Sequence, residues 1–167
     1  AGAIDCVLTF KEVADMFEAF GINPAEMEES EKDQSSRAGR IYARVGGVSE
    51  AVKSTVERIN PNREISVKTR HADGVAACKA MVNDILAGKG GANFFEGMGC
   101  IGGCVGGPKA LIPKEGGTEN VNRYGDEAAY KTPIDNPYVI ELLNRLGIKT
   151  IEDLLENSDI FTRNFNS

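Results

Sequence analysis

No apolar run in the 167 residues approaches the roughly 20 that a membrane helix requires. The opening Ala1-Gly2-Ala3 lacks the basic region followed by an apolar stretch that marks a signal peptide. There is no initiator Met either, and the chain is expected to be cut from a longer protein. A basic stripe is also missing: the nearest thing, residues 63–71, is short and interrupted by Glu64. Lys and Arg total 19 against 25 Asp and Glu, for a net charge of -6. An acidic surface repels phosphate backbones, so nucleic acid is excluded as a general partner. Histidine occurs once, as His71, so any imidazole chemistry would rest on that residue; beside Asp73 it reads as a hydrogen-bonded loop histidine. No internal repeat or low-complexity segment is present.

Four cysteines are present: Cys6, Cys78, Cys100 and Cys104. A chain of this length buries roughly 70% of its unfolded surface and needs no disulfide staples. A reducing, cytoplasmic setting is therefore expected, with two cysteines engaged in chemistry. Cys6, beside Val7, and Cys78, on an apolar helix stripe, read as buried small hydrophobes.

Residues 4–8 read as a strand, and Thr9 with Glu12 as a capping box opening a helix with Val13, Met16, Phe17 and Phe20 on one face and Gly21 as its stop. Residues 23–36 read as a polar surface loop, and residues 40–45 as a strand or extended turn. Val48, Val52, Val56 and Ile59 predict a helix, and residues 64–69 alternate like a strand. Asp73 is placed to cap a further helix with the stripe Val75, Cys78, Val82, Ile85 and Leu86, ended by Gly88. Residues 93–98 read as a strand running into a Gly- and Cys-rich loop.

The alternation predicts an α/β fold, a parallel or mostly parallel sheet flanked by helices, with a helical C-terminal tail. In such sheets ligands gather beyond the carboxyl ends of strands, where the cysteine loop sits. In the tail, Asn136-Pro137 starts a helix with Val139, Leu142, Leu143 and Leu146 inward and Gly147 after it. Thr150 and Asp153 form a second capping box before Ile151, Leu154 and Leu155.

The loop reads Glu96-Gly-Met98-Gly-Cys100-Ile-Gly-Gly-Cys104-Val-Gly-Gly-Pro108-Lys109. Two thiols separated by three residues on pliant backbone can converge on one iron–sulfur cluster, because soft thiolates suit iron. Gly102, Gly103, Gly106 and Gly107 permit positive φ and would leave amides free to point at sulfides. Zinc would need a second cysteine pair, a thioredoxin-type pair has two intervening residues, and the Gly-Lys-Ser/Thr ending of a P-loop is missing. Structural cysteines in a glycine-rich turn stay open as an alternative, as does a self-contained four-cysteine cluster. Glu96 reads first as support for the loop, and Glu50 as a capping or surface ion-pair residue.

The segment Met98 to Pro108 resembles the third cysteine motif of iron-only hydrogenases, of form M-x-C-x-G-G-C-x-x-G-G. Three more segments fall in that family's order. Residues 7–12 resemble its V-L-T-x-x-E helix entry, residues 36–51 its G-x-I-F-x-x-x-G-G-V-x-E-A stretch, and Gly74-Val75-Ala76 the helix opening before the cysteine strand.

The resemblance implies a lobe of the hydrogenase catalytic domain, with residues 1–115 as its C-terminal portion and 116–167 as a helical extension of the same domain. It implies an H-cluster, in which a 4Fe-4S cubane is joined through a cysteine sulfur to a two-iron subcluster. By the same resemblance Cys100 would bind the cubane, Cys104 would bind it and bridge to the two-iron unit, and Met98 would lie against that unit. Gly102 and Gly103 would line the cluster. The implied reaction is reversible, 2H+ + 2e- = H2, with electrons from a ferredoxin-like carrier. The upstream T-S-C-C-P and M-P-C motifs, which hold the other cubane ligands and the proton-relaying cysteine, do not occur in the chain. The remaining N-terminal part of the hydrogenase or a partner subunit is thus the expected partner, and the chain alone is expected to be inactive with an incomplete cofactor. Ile101 replaces a frequent Pro, and Gly106-Gly107-Pro108 is shorter than the usual G-G-G-Q-P ending, which points to a divergent or sensory-type branch. The alternative reading is a non-catalytic iron–sulfur module for electron transfer, sensing or cluster assembly.

Overall fold

The computed structural model describes residues 4–29, 34–62, 64–150 and 153–154. Its centre is a parallel two-stranded sheet of β1 (Thr69–Asp73) and β2 (Phe94–Met98), joined through α4 (Val75–Leu86). The register runs from Thr69 opposite Phe94 to Asp73 opposite Met98. Helix α3 (Gly47–Ile59) also packs on the sheet. Successive strand residues point to opposite faces, and β2 shows which helix covers which. Glu96 reaches the start of α3, whereas a Cβ on the next residue, Gly97, would lie 3.4 Å from Cys78 Sγ and 3.8 Å from Met81 Cε of α4. The expected α/β class, with a parallel sheet between helices, is what the chain adopts.

β1 begins where the predicted strand, residues 64–69, was expected to end. The cause lies in Asn93. Its side chain takes the ladder positions just upstream, donating to Ser66 O at 2.9 Å and accepting from Lys68 N–H at 2.8 Å. Ile65 consequently lies exposed.

The predicted strand over residues 4–8 is also corrected. Those residues form no ladder among the described ones, and Ile4 and Val7 are 76% and 82% exposed. A strand needs a partner for its amides, and neither β1 nor β2 offers one here. Cys6 is exposed, not buried.

Helix α1 (Phe10–Ala19) carries the expected capping box: Glu12 N–H donates to Thr9 Oγ1 at 3.3 Å and Thr9 N–H to the Glu12 carboxylate at 2.7 Å. Gly21, at φ +66°, ends it as predicted.

Residues 40–45 are neither strand nor plain turn. Ser36 caps the short α2 (Arg37–Arg40), a 3-10 turn follows over Ile41–Ala43, and only Arg44 bridges to a strand-like partner, Gly103. Ser36, placed in the surface loop by sequence, is buried, because the α2 amides of Arg37 and Ala38 donate to Tyr130 and Lys131 carbonyls.

The packed core is small-residue and local. Ala38, Ile41, Ala51, Met81 and Ile148 are its buried apolar members. In α3 the residues that go fully inside are Gly47, Ser49 and Ala51, while the predicted valines are half-buried and Ile59 is exposed. A Cβ on Gly47 would overlap the Ile41 carbonyl oxygen, so the close approach of α3 to the preceding turn requires glycine. The predicted α4 stripe likewise fails to go inside: Cys78 is half-buried and Val75, Val82, Ile85 and Leu86 are exposed, while the buried residue is Met81, outside that stripe. Helical periodicity was correct for both elements, and the face that packs was not.

Helix α5 (Lys114–Asp126) has no apolar stripe to announce it. It packs through glycine: a Cβ on Gly125 would lie 2.7 Å from Ile41 Cγ2, and one on Gly117 3.0 Å from Val105 Cβ. Helix α6 (Pro137–Arg145) starts as expected at Asn136, a fully buried cap that accepts from Tyr138 N–H, and ends at Gly147, φ +78°. Val139 and Leu143 are half-buried, but Leu142 and Leu146 are exposed, against the expectation. The second capping box is present at Thr150 and Asp153; Ile151 and Leu155 lie outside the described residues. No helix among the described residues is long and apolar enough to cross a membrane.

Candidate iron–sulfur ligand loop

The loop of residues 99–110 leaves the carboxyl end of β2, the side at which parallel sheets present their sites. Cys100 follows two residues after the strand and is half-buried. Cys104 opens a 3-10 turn, Cys104–Gly106, and is exposed. The loop closes on itself: Gly103 N–H donates to Cys100 O at 3.0 Å, Gly106 N–H to Gly103 O at 3.1 Å and Gly107 N–H to Cys104 O at 3.0 Å. Gly107 sits beside both cysteines, since a Cβ there would lie 3.1 Å from Cys104 O and 3.8 Å from Cys100 Sγ.

Glycine is required here for space as well as conformation. Gly102 and Gly103 have φ of +89° and +87°. A Cβ on Gly103 would meet Val45 N at 2.7 Å, Met98 Sδ at 2.8 Å and Arg44 C at 2.9 Å, and one on Gly106 would overlap the Ile101 carbonyl oxygen. Met98 sulfur is thus pressed against the residue that precedes Cys104. The amides of Gly102, Gly103, Gly106 and Gly107, expected to be free for sulfides, are engaged within the protein, with Gly102 N–H donating to Asp73 Oδ2 at 2.6 Å. A tight turn uses its own amides, and the place a Cβ would take at Gly102, Gly103 and Gly106 is filled by Lys114, by Val45 and Met98, and by Ile101.

Two carboxylates hold the turn at residues 44–49 that packs on the loop. Glu96 is buried and its oxygens accept from Gly46 N–H at 2.8 Å and Ser49 N–H at 2.7 Å, satisfying the open amides at the start of α3. This is the support role read from sequence. The turn it fixes runs through Val45, whose N–H donates to Gly102 O at 3.0 Å. Glu50 forms ion pairs with Arg37 and, at 2.5 Å, with Arg44, and Arg37 also reaches Asp126 of α5 at 2.9 Å. Burial alone would push the Glu50 carboxyl up, yet hydrogen bonds from Arg44 and Arg37 hold it below its usual value. A depressed folded pKa gives stability above the usual 4.5 that is lost as pH falls below it. Because Glu50 is partly exposed, this is worth no more than about 1 kcal/mol. Denaturant midpoints measured from pH 7 to pH 3 are expected to fall less in Glu50→Gln than in the unaltered chain, and parallel curves would contradict it.

His71 lies in β1 opposite Glu96, not in a loop, with its ring near Gly46. Cys78, on α4, is held in place by its thiol, which donates to Met98 O at 3.3 Å and Ala72 O at 3.5 Å. Sequence reasoning missed the grip of Asp73 and Val45 on Gly102 and the aliphatic chain of Lys114 lying over Gly102. None of these carries a sequence signal, because each joins residues far apart in the chain.

Among the described residues no group of three or more His, Cys, Asp or Glu is arranged to hold a metal ion, and none of the four cysteines is in a disulfide. Two soft thiols on a glycine cradle match part of the donor set of an iron–sulfur cluster. The chain is 28% identical over 139 residues to the periplasmic iron hydrogenase large subunit of Nitratidesulfovibrio vulgaris, covering 66% of the chain and 33% of that protein. It is 29% identical over 142 residues to iron hydrogenase 1 of Clostridium pasteurianum, covering 67% of the chain and 25% of that protein. The chain therefore spans a third or less of the length of these relatives. The family model for the C-terminal domain of the iron-only hydrogenase large subunit matches residues 1–108, a stretch that holds both strands and both cysteines of the loop. The chain belongs to that family.

Proposed function

We propose that the chain is the cluster-binding C-terminal portion of an iron-only hydrogenase, in which Cys100 and Cys104 hold the H-cluster. The observation that carries this is the closed loop at the carboxyl end of β2. It sets two free thiols on one tight glycine turn inside the family-matched stretch, with Cys100 Sγ 3.8 Å from where a Cβ on Gly107 would lie.

Cys100 would hold the cubane, and Cys104 would hold both the cubane and the two-iron unit. Met98, pressed on Gly103, presents a soft apolar thioether to that unit. Gly102 and Gly103 would flank the cluster through their backbone, since the place of a side chain is taken by Lys114 at Gly102 and by Val45 and Met98 at Gly103. When bound, the cofactor supplies the redox chemistry of 2H+ + 2e- = H2, and the protein contributes ligands, burial and position. Glu96 keeps the β2 end and the α3 turn in register, so that the thiolates are presented from packed elements.

A cubane takes four ligands, so the others come from the rest of the hydrogenase or a partner subunit, and electrons from a ferredoxin-like carrier. Residues 1–115 act as the lobe, and 116–167 as a helical extension of the same domain; α5 runs across that point and packs on both α2 and the cysteine loop. The setting assigned is a reducing, cytoplasmic one, in which thiols stay available as iron ligands.

The test has two arms. The complete native protein, purified anaerobically, is expected to evolve H2 from a reduced dye. The 167-residue chain reconstituted with iron, sulfide and a synthetic diiron mimic is expected to evolve none. A complete protein that holds iron but makes no gas would favour a non-catalytic iron–sulfur module, and turnover by the chain alone would overturn the incomplete-site reading.

A further inference from the structure

Asp73 stands just before α4, where a carboxylate is expected to cap the helix, yet the cap position belongs to Gly74, at φ +77°, with no side-chain cap. The Asp73 carboxylate instead reaches a residue 29 positions on, accepting the Gly102 N–H at 2.6 Å. Gly102 lies midway between Cys100 and Cys104. Its carbonyl is taken from another side by Val45 N–H at 3.0 Å. The one backbone segment that could hinge between the two thiols is therefore held at both its amide and its carbonyl.

That grip matters because Gly102 and Gly103 are consecutive glycines at positive φ. Glycine has the most backbone freedom to lose on ordering, so without an anchor this pair would let Cys104 move relative to Cys100. A charged acceptor makes the stronger class of hydrogen bond. Asp73 is also well founded, being the last residue of β1 and paired in register with Met98 of β2. The same strand ends therefore fix the chain entering the cysteine loop and the chain between the cysteines.

We propose that Asp73 is a positioning residue of the ligand loop: by holding the Gly102 amide it sets the relative placement of the Cys100 and Cys104 thiolates. The role rests on the reading of those cysteines as cluster ligands.

Two substitutions in the complete, anaerobically purified protein separate this role from helix capping. Asp73→Ser keeps a good capping group but is too short to reach Gly102, whereas Asp73→Asn keeps an acceptor oxygen in place. Iron release to a ferrous chelator is expected to be about tenfold faster in Asp73→Ser and within about threefold of the unaltered rate in Asp73→Asn. Gly102 amide exchange in Asp73→Asn is expected to stay as protected as before, a readout that remains if the serine variant does not accumulate. An unaltered release rate in Asp73→Ser, release in Asp73→Asn as fast as in Asp73→Ser, or loss of amide protection in Asp73→Asn would each overturn the proposal. Cys100→Ser run alongside separates the two ideas. If it leaves iron content unchanged, the ligand reading fails; if it strips iron while Asp73→Ser does not, only the role of Asp73 fails.

Discussion

Cys104→Ser in the complete protein is expected to abolish H2 evolution, with a fall of at least about a thousandfold. Cys104 is the sulfur assigned to both halves of the cofactor, and a serine hydroxyl is a harder, less acidic donor than a thiolate. Cys100→Ser removes one cubane ligand and is expected to lower iron content and activity together. The contrast with Cys6→Ser and Cys78→Ser is part of the prediction. Cys6 is exposed outside any element, and Cys78 only donates its thiol proton to two backbone carbonyls. Both variants should keep activity within about threefold, since a lost weak thiol hydrogen bond is worth on the order of 1 kcal/mol or less. Gas production in the reduced-dye assay measures all four.

The second large effect is steric. Gly106→Ala is expected to open the turn between the cysteines, because the new Cβ would overlap the Ile101 carbonyl oxygen. The obstacle is backbone, so no rotamer change relieves it. Gly106 has no positive φ, and the cost is therefore overpacking, about 1–3 kcal/mol, concentrated in the loop that carries both thiols. Gly99→Ala is the matched control: it adjoins Cys100 in the chain, but a Cβ there meets nothing within 4 Å. Iron per chain after anaerobic desalting is expected to fall several-fold in Gly106→Ala and to stay within about 20% of the starting protein in Gly99→Ala. Equal iron in both variants would contradict the tight-turn account.

Much of the candidate loop was legible in the sequence because its parts are close neighbours in the chain. Two cysteines with three intervening residues, the glycines around them and the strand before them all lie within a dozen or so positions, and each falls where it was placed. Helix starts were equally legible: the boxes at Thr9–Glu12 and Thr150–Asp153 and the Asn136 cap are contacts between near neighbours. Long-range contacts were not. Nothing in the run of residues says that Glu96 caps α3, that Asp73 serves Gly102 and not its own helix, or that Asn93 makes the ladder start late. Helix α5 escaped because its packing uses Gly117 and Gly125, residues that lower helix propensity and leave no apolar stripe. The α4 stripe misled for the opposite reason. Periodicity reports which residues share a face, not whether that face has a partner in the same chain.

The central claim is that Cys100 and Cys104 are iron ligands, and the iron they retain tests it most directly. In the complete protein purified without oxygen, replacing both by serine is expected to remove the iron of one H-cluster per chain, about six atoms by the formula of a cubane plus two irons. The same preparation should show unaltered folding by circular dichroism. A folded double variant that keeps its full iron would contradict the account.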